Sequence, residues 1–481
     1  MNKVFKHIES VSAARPRLIP LVIAIASVLW LLVRTGTKPS RAAYPCQRAA
    51  AANASLLLGT LAVPAALWRR SELRLLIFLA AAFAIAGFAA PVADLVPRGV
   101  APATGQTVAI RLVGRQQQQS TFSDIYAVQD TNGADGGFQR LVEIMEQGGL
   151  SFASLIGPKD VVIIKVNSQW DERGGTNTDL VRAIIESIQR RSGGFSGEIV
   201  IADNGQAQYG AAGHGGSLDW KSNNAVDVTQ SMRKVADSFS GRCKVSTALW
   251  DRITTTRVSE YSEGDLRDGY VVDASPSPRT GIIVSYPKFQ TPSSTRISFK
   301  KGIWNEALRR YDSDRLKVIN VPVLKSHMIY GVTASVKHYM GVGSEKLTHS
   351  AHASVGAGGM GTEMAETRLP VLNVLDAVWI NPIPGRGPHT AYADAAQTRI
   401  IAACRDPVAL DSWAAKTILL PAARKLGYRD TDSMNPDVMD RGSFGDWLRL
   451  SMRELQRAGY ASTMDLDSIT ITVSSLNPGP R

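Results

Sequence analysis

The chain has 481 residues, of which 44% are hydrophobic, and its formal net charge is +12. Its three cysteines, Cys46, Cys243 and Cys404, lie far apart, so we predict no disulfide framework, no CxxC zinc site and no iron–sulfur cluster. Much of the positive charge flanks apolar runs near the N-terminus, and no stretch interleaves cations with aromatic residues, so we predict no nucleic-acid partner.

Three apolar runs near the N-terminus, at 18–33, 49–68 and 75–96, are close to the length of about 20 residues that spans a bilayer. They predict a basic tail at 1–17, a three-helix transmembrane anchor at 18–96 with the lipid bilayer as partner, a linker at 97–105 and a large domain at 106–481. The alternative for the first run is a cleaved signal peptide, but no small-x-small cleavage site follows it.

The tail and the 69–74 loop carry more Lys and Arg than the loop at 34–48, which favours a cytoplasmic N-terminus. Three spans then place the large domain outside the cytoplasm, and losing one span reverses that prediction.

The large domain alternates strand-like and helix-like stretches. The predicted strands are 107–112, 161–166, 198–202, 281–286, 317–321, 399–403 and 468–473. The predicted helices are 137–147, 179–190, 228–239, 369–378, 407–419 and 444–458. Several strands are continuous apolar runs, which is typical of strands buried on both faces. We therefore predict an α/β fold with a largely parallel or mixed sheet covered by helices.

Polar residues lie at or just after the ends of four of the predicted strands. They are Lys165 with Asn167, Asp203, Lys325 with His327, and Asp406. In open α/β sheets, ligands bind beyond the carboxyl ends of parallel strands, so these residues predict one site at one edge. The alternative is that loops after strands are polar in any protein.

The stretch 325–352 is the densest in functional groups and holds four of the seven histidines. Lysines hold anions as point charges and histidines transfer protons near neutral pH. We predict Lys325, His327, Lys337, His338 and Asp406 as catalytic residues. The alternative for the histidines is a structural role with satisfied hydrogen bonds.

Further residues complete the predicted site. Lys165, Asn167, Thr176, Thr333 and Arg386 are predicted to bind substrate; helix capping is the alternative for Thr176 and a plain turn for Arg386. His349 and His352 form an HxxH pair that, with Asp203 and Asp411, predicts a site for a divalent metal.

These motifs, taken together, resemble a known family. They are Lys165-Val-Asn167, Gly-Gly-Thr176-Asn-Thr, Val-Pro322-Val-Leu-Lys325-Ser-His327, Gly331-Val-Thr333-Ala-Ser-Val-Lys337-His338 and Asp406-Pro-Val-Ala-Leu-Asp411. Over roughly 106–420 the chain resembles the bacterial and archaeal family called domain of unknown function 362. The chain departs from the common pattern at Val166, where proline is usual, and at His338, where asparagine is usual. The resemblance implies a fold family without an established reaction, and the ferredoxin-like cysteines of many members are missing.

Three functions are compatible with these observations. The first is an enzyme that acts on a small anionic molecule at a membrane surface, with or without a divalent metal. The second is a non-catalytic ligand-binding or assembly module. The third is a redox protein, which the scattered cysteines disfavour. The sequence indicates no particular protein partner.

Overall fold

The computed structural model describes residues 121–206, 215–241 and 243–476. The predicted tail, apolar runs and linker of residues 1–105 lie outside these ranges, as does the predicted strand 107–112. Inside them, the helices are all too short or too polar to span a bilayer.

The described residues contain fifteen named strands in two sheets. They are β1 Ile125–Gln129, β2 Val161–Lys165, β3 Glu198–Asp203, β4 Lys244–Leu249, β5 Gly269–Val272, β6 Ser285–Gln290, β7 Arg296–Ser298, β8 Gly302–Asn305, β9 Arg310–Asp312, β10 Leu316–Asn320, β11 Val323–His327, β12 Gly331–Thr333, β13 Leu372–Asn381, β14 Ala396–Cys404 and β15 Ile471–Ser475.

The main sheet is mixed but mostly parallel. Its order is β15-β1-β14-β13-β10-β2-β3-β4, and β11 extends β13 and pairs with β12. β14 runs antiparallel to both of its neighbours, and β12 runs antiparallel to β11. The remaining pairs are parallel. Strands β5 to β9 form a separate antiparallel sheet, so the predicted α/β class with a mixed sheet and helices is confirmed.

Ten α-helices lie in the described ranges. They are α1 Gly137–Gln147, α2 Phe152–Leu155, α3 Thr178–Gln189, α4 Met232–Asp237, α5 Glu345–Thr348, α6 Ala351–Ser354, α7 Gly359–Glu366, α8 Pro407–Ala414, α9 Leu420–Lys425 and α10 Phe444–Arg457. α1 and α3 present one apolar face each, through Leu141 and Ile144 in α1 and Val181 and Ile184 in α3.

Helices cover one face of the main sheet, and the small sheet together with further helices covers the other. Ile164 of β2 packs in a core with α1, α3 and α4, whereas Ile163 packs in a second core with the small sheet and helices α7 to α10. This split follows from the strand period of two residues, because successive side chains point to opposite faces. By the same alternation Lys165 lies on the face that the small sheet covers.

One predicted helix is wrong and another is too long. Residues 369–378 were expected to be helical, but β13 occupies Leu372–Asn381 at the centre of the main sheet. Its apolar residues are buried on both faces, and such a run carries no period that separates a strand from a buried helix. The predicted helix 228–239 is reduced to α4 at Met232–Asp237.

Candidate functional site

An ion pair joins the carboxyl ends of β2 and β3. Lys165 Nζ lies 2.9 Å from Asp203 Oδ1, and both side chains are buried. Asp203 Oδ2 accepts hydrogen bonds from the Ser168 backbone N–H at 2.9 Å and from its hydroxyl at 2.8 Å. Burial lowers the pKa of Lys165, and the Asp203 carboxylate opposes that shift. This pair is the first half of the predicted site, and it forms where two parallel strands end.

Two asparagines lie in line with Lys165 on the neighbouring strands β10 and β13. The register pairs Lys165 with Asn320 and Asn320 with Asn373. Asn320 Nδ2 donates to Asn373 Oδ1 at 2.9 Å, and Asn320 Oδ1 lies 2.7 Å from His338 Nδ1. Burial lowers the pKa of His338 well below its usual value, so the ring is neutral at pH 7. The contact between His338 and Asn320 thus holds the turn Lys337–Gly341 against the main sheet.

Lys325 reaches the same region from β11. Its Nζ donates a 2.7 Å hydrogen bond to the Gly174 carbonyl. Thr333 lies directly opposite on β12, so the two side chains share one face of the hairpin. The Thr333 hydroxyl is buried without a hydrogen-bond partner in the described part of the chain. Burial, and then the charge of Lys337, lowers the pKa of Lys325 to about 7.

Lys337 is the third lysine of the region and is 4% exposed. Its Nζ lies 5.2 Å from the centroid of the Tyr330 ring, a cation–π contact. No hydrogen bond or ion pair of this ammonium occurs within residues 121–206, 215–241 and 243–476. Burial lowers the pKa of Lys337 to about 7.

Lys165, Lys325 and Lys337 together are named the lysine cluster. Lys325 lies close enough to the other two for each of their charges to depress its pKa. Only Lys165 forms an ion pair with a described carboxylate. Burying several cations with so little compensating negative charge is energetically costly. A bound anion would supply that negative charge and lower the cost.

His327 lies beside the cluster with a defined tautomer. Its Nδ1 accepts hydrogen bonds from the backbone N–H groups of Ile329 at 3.1 Å and Tyr330 at 3.2 Å, so the neutral ring carries its proton on Nε2. Burial lowers the pKa of His327 well below its usual value, and the charge of Lys337 adds to that shift. A neutral imidazole with an available Nε2–H is suited to donate a hydrogen bond.

A buried carboxylate missing from the sequence prediction lies near the cluster. Asp376, in β13, accepts hydrogen bonds from the Asn177 backbone N–H and from Asn224 Nδ2, both at 2.9 Å. Burial raises the pKa of Asp376 to about 6, and its charge raises the pKa of Lys325. Asp376 therefore positions the loop that ends at Asn177, whose side chain caps α3.

Asp406 is not part of this site, which corrects the prediction. It follows β14, the strand that runs antiparallel to β13, so the chain leaves β14 in the opposite direction. Its carboxylate accepts hydrogen bonds from Ser123, Ser462, Thr463 and Val408. The convergence expected of four strand ends holds for Lys165, Asp203 and Lys325 alone.

The four predicted metal ligands are not brought together. Asp203 pairs with Lys165, and Asp411 accepts hydrogen bonds from the backbone N–H groups of Ser335 and Val336. His349 is exposed, and His352 lies 3.5 Å from Glu345. The described ranges contain no group of three or more His, Cys, Asp or Glu side chains placed to hold a metal ion.

The remaining predicted residues have structural contacts. Thr176 Oγ1 accepts from the Asn167 backbone N–H at 2.7 Å and donates to the Val321 carbonyl at 3.0 Å, while Asn167 Oδ1 accepts from the Val323 N–H at 3.0 Å. Both tie the end of β2 to the segment after β10. The Arg386 side chain is 63% exposed and pairs with Asp394, so it lies apart from the buried cluster.

Sequence reasoning missed Asn320, Asn373 and Asp376. Each stands alone in an otherwise apolar run, and a lone polar residue in a buried strand needs a partner. That signal was available for Asn320. For Asn373 and Asp376 the same signal could not be used, because their segment was interpreted as a helix.

The fold and the site define an α/β domain with a mostly parallel sheet and a buried lysine cluster near its carboxyl edge. The family model described as domain of unknown function (DUF362) matches residues 283–416 of the chain. The resemblance is confirmed over that range, which includes Lys325, Lys337 and Asp411; the motifs at Lys165 and Thr176 lie outside it. No curated protein and no solved structure matches the chain.

Proposed function

We propose that this chain binds a small anionic molecule at the lysine cluster and acts on it as an enzyme. The observation that carries the proposal is the burial of three lysines in one region, only one of which has a described carboxylate as ion-pair partner. An anion placed between Lys325 and Lys337 would restore the compensating charge, and the unpartnered Thr333 hydroxyl is available to donate a hydrogen bond to it.

The proposed division of roles follows from the partners of each lysine. Lys165 is committed to Asp203, so it supports the site and contributes long-range charge. Lys325 Nζ donates one hydrogen bond to the Gly174 carbonyl and has two further N–H donors, whereas Lys337 Nζ has all three of its N–H donors available. Lys325 and Lys337 are therefore the proposed anion ligands.

Proton transfer is the chemistry that the neighbouring side chains support. His327 is neutral and carries its proton on Nε2, beside two lysines whose pKa values burial lowers to about 7. Groups that exchange protons near pH 7 make efficient general acids and bases. We assign proton transfer to the Lys325 and Lys337 amines, hydrogen-bond donation from Nε2 to His327, and a structural role to His338.

The test is ligand-induced stabilisation of the purified 481-residue chain. Inorganic phosphate, acetate and pyruvate are compared with chloride at equal ionic strength. At 100 times its Kd, a bound anion stabilises the chain by about 2.7 kcal/mol, which raises Tm by several degrees. Lys325→Met and Lys337→Met should abolish the rise.

Lys288→Met is the matched control. Lys288 is also fully buried, but it lies in the small sheet against the Tyr261 ring, with Asp265 at 3.9 Å. This variant loses stability and keeps the anion response. If none of the three anions raises Tm, or if all three lysine variants respond alike, the proposed site is wrong.

The apolar runs at 18–96 support a second part of the proposal. They indicate that the domain is held at a lipid bilayer, so that the anionic molecule is met at a membrane surface.

A further inference from the structure

The geometry points to Lys337 as a nucleophilic amine that forms a Schiff base with a carbonyl group, so that the anionic substrate of the proposed site is a keto or aldehyde acid. This inference rests on the proposed function, because Lys325 and the Thr333 hydroxyl would hold the carboxylate of the same molecule. It narrows the substrate class from any small anion to one with a ketone or aldehyde beside its charge.

The first observation is that the Lys337 nitrogen has no competing partner. A lysine amine attacks a carbonyl only when its lone pair is free of a proton and of strong hydrogen bonds. In the described ranges Lys337 Nζ has the face of the Tyr330 ring as its neighbour and neither a carboxylate nor a carbonyl within bonding distance. Lys165 and Lys325, in contrast, donate to Asp203 and Gly174.

The second observation is the charge around Lys337. A lysine in an apolar pocket beside another cation is favoured in its neutral form. Lys337 is buried, and its charge acts on Lys325 and His327, which places all three in one region. Burial lowers the pKa of Lys337 to about 7, and no described carboxylate forms an ion pair that would oppose this shift.

The third observation is a hydrogen-bond donor beside the same aromatic ring. The His327 ring lies 5.3 Å from the Tyr330 ring, against which Lys337 also lies. The Tyr330 backbone N–H bonds to His327 Nδ1, so the His327 proton is kept on Nε2. His327 is therefore placed to serve the dehydration step.

The proposed step balances without an external reactant. The Lys337 nitrogen adds to the carbonyl carbon, and one nitrogen proton moves to the carbonyl oxygen to give a carbinolamine. The second nitrogen proton and the hydroxyl leave together as water, with the His327 Nε2–H donating a hydrogen bond to the leaving oxygen, and a C=N bond remains. Amine plus carbonyl thus gives imine plus water.

The test traps this imine on the purified 481-residue chain. The chain is mixed with pyruvate at pH 7, reduced with borohydride, digested and examined by mass spectrometry. We expect the reduced adduct on Lys337 at a level at least about tenfold above any exposed lysine, because a pKa near 7 leaves half of the amine unprotonated. Acetate, which has no ketone, should stabilise the chain without labelling it.

Lys337→Arg separates the two proposals. Arginine keeps the positive charge but does not form an imine. This variant should keep at least half of the Tm rise in pyruvate and lose the adduct. If pyruvate raises the Tm of the unaltered chain while Lys337 stays unlabelled, the Schiff-base inference is overturned and anion binding stands. If pyruvate neither raises Tm nor labels Lys337, the Schiff-base inference fails, and anion binding fails with it when phosphate and acetate also leave Tm unchanged.

Discussion

Burial moves the pKa of three groups to about 7 from opposite sides: Lys325 and Lys337 from above and Asp411 from below. Between pH 7 and about 10.4, the unfolded chain binds more protons at the two lysines than the folded chain. Their contribution to the free energy of unfolding therefore rises with pH in this range. Between about pH 3.9 and pH 7, the folded chain holds the Asp411 proton, so that contribution to stability falls as pH rises.

Lys337→Met should flatten the alkaline part of this profile. It removes one proton of difference, so the rise in the free energy of unfolding between pH 7 and 10 should weaken by about 1.4 kcal/mol per pH unit. Urea unfolding at three pH values in that window measures the slope. Lys425→Met, at an exposed residue of α9, should leave the slope as it is. An unchanged slope in Lys337→Met would mean that Lys337 is charged in the folded chain.

At the scale of elements, the segment from Ser335 to Gly341 is held at one end by helix α8 and at the other by the loop after β3. Asp411 of α8 accepts from the backbone N–H groups of Ser335 and Val336, and Asn204 of the loop after β3 donates from its backbone N–H to the Gly341 carbonyl at 3.3 Å. The Asp-Pro-x-Ala-Leu-Asp motif therefore has a positioning role. It fixes the segment from which Lys337 projects.

Gly341 is required by its close approach to the ion pair. A Cβ at this position would lie 2.2 Å from Asp203 Oδ1 and 2.5 Å from Lys165 Nζ. Gly341→Ala should therefore separate the pair and lower the free energy of unfolding by about 1–3 kcal/mol, as overpacking does. Urea unfolding measures this loss.

Gly356→Ala is the control for that substitution, because a Cβ there meets nothing within 4 Å. It should change the free energy of unfolding by less than about 1 kcal/mol. Equal losses in the two alanine variants would show that loss of glycine, and not contact with Lys165 and Asp203, is responsible.

Element assignment from sequence succeeded where an amphipathic period or a cap was present. Helix α1 was predicted with its observed bounds, and α8 begins at Pro407 as expected, with Asp406 as its cap. The failure at 369–378 has a physical origin, since a central strand is apolar on both sides and has no period of its own.

At the scale of the whole molecule, the direction of β14 determines whether Asp406 lies near the lysine cluster. As the strand that reverses the sheet direction, it carries Asp406 away from the lysine cluster and towards Ser123 and Ser462, residues nearly 340 positions apart in the chain. Asp406 joins the start of β1 to the segment before β15. Its role is to close the edge of the domain.

Asp406→Ala should therefore destabilise the chain without altering the site. It removes a helix cap, worth about 1 kcal/mol, and leaves the donors of Ser462 and Thr463 without their acceptor, so we expect a total loss of several kcal/mol. The Tm rise in the anion that stabilises the unaltered chain should persist, as measured by thermal unfolding. If Asp406→Ala folds and has lost that rise, Asp406 belongs to the anion site.

The amino-acid sequence by itself determined the α/β class and the concentration of cations and histidines at 325–338, because apolar runs and short-range spacing are local properties of the chain. Only the tertiary structure decided that Lys165 and Asp203 join this group, that Asp406 does not, and that Asn320, Asn373 and Asp376 support it. Strand order and direction depend on hydrogen bonds between segments far apart in the chain. The residues of one strand do not specify the direction of the neighbouring strands.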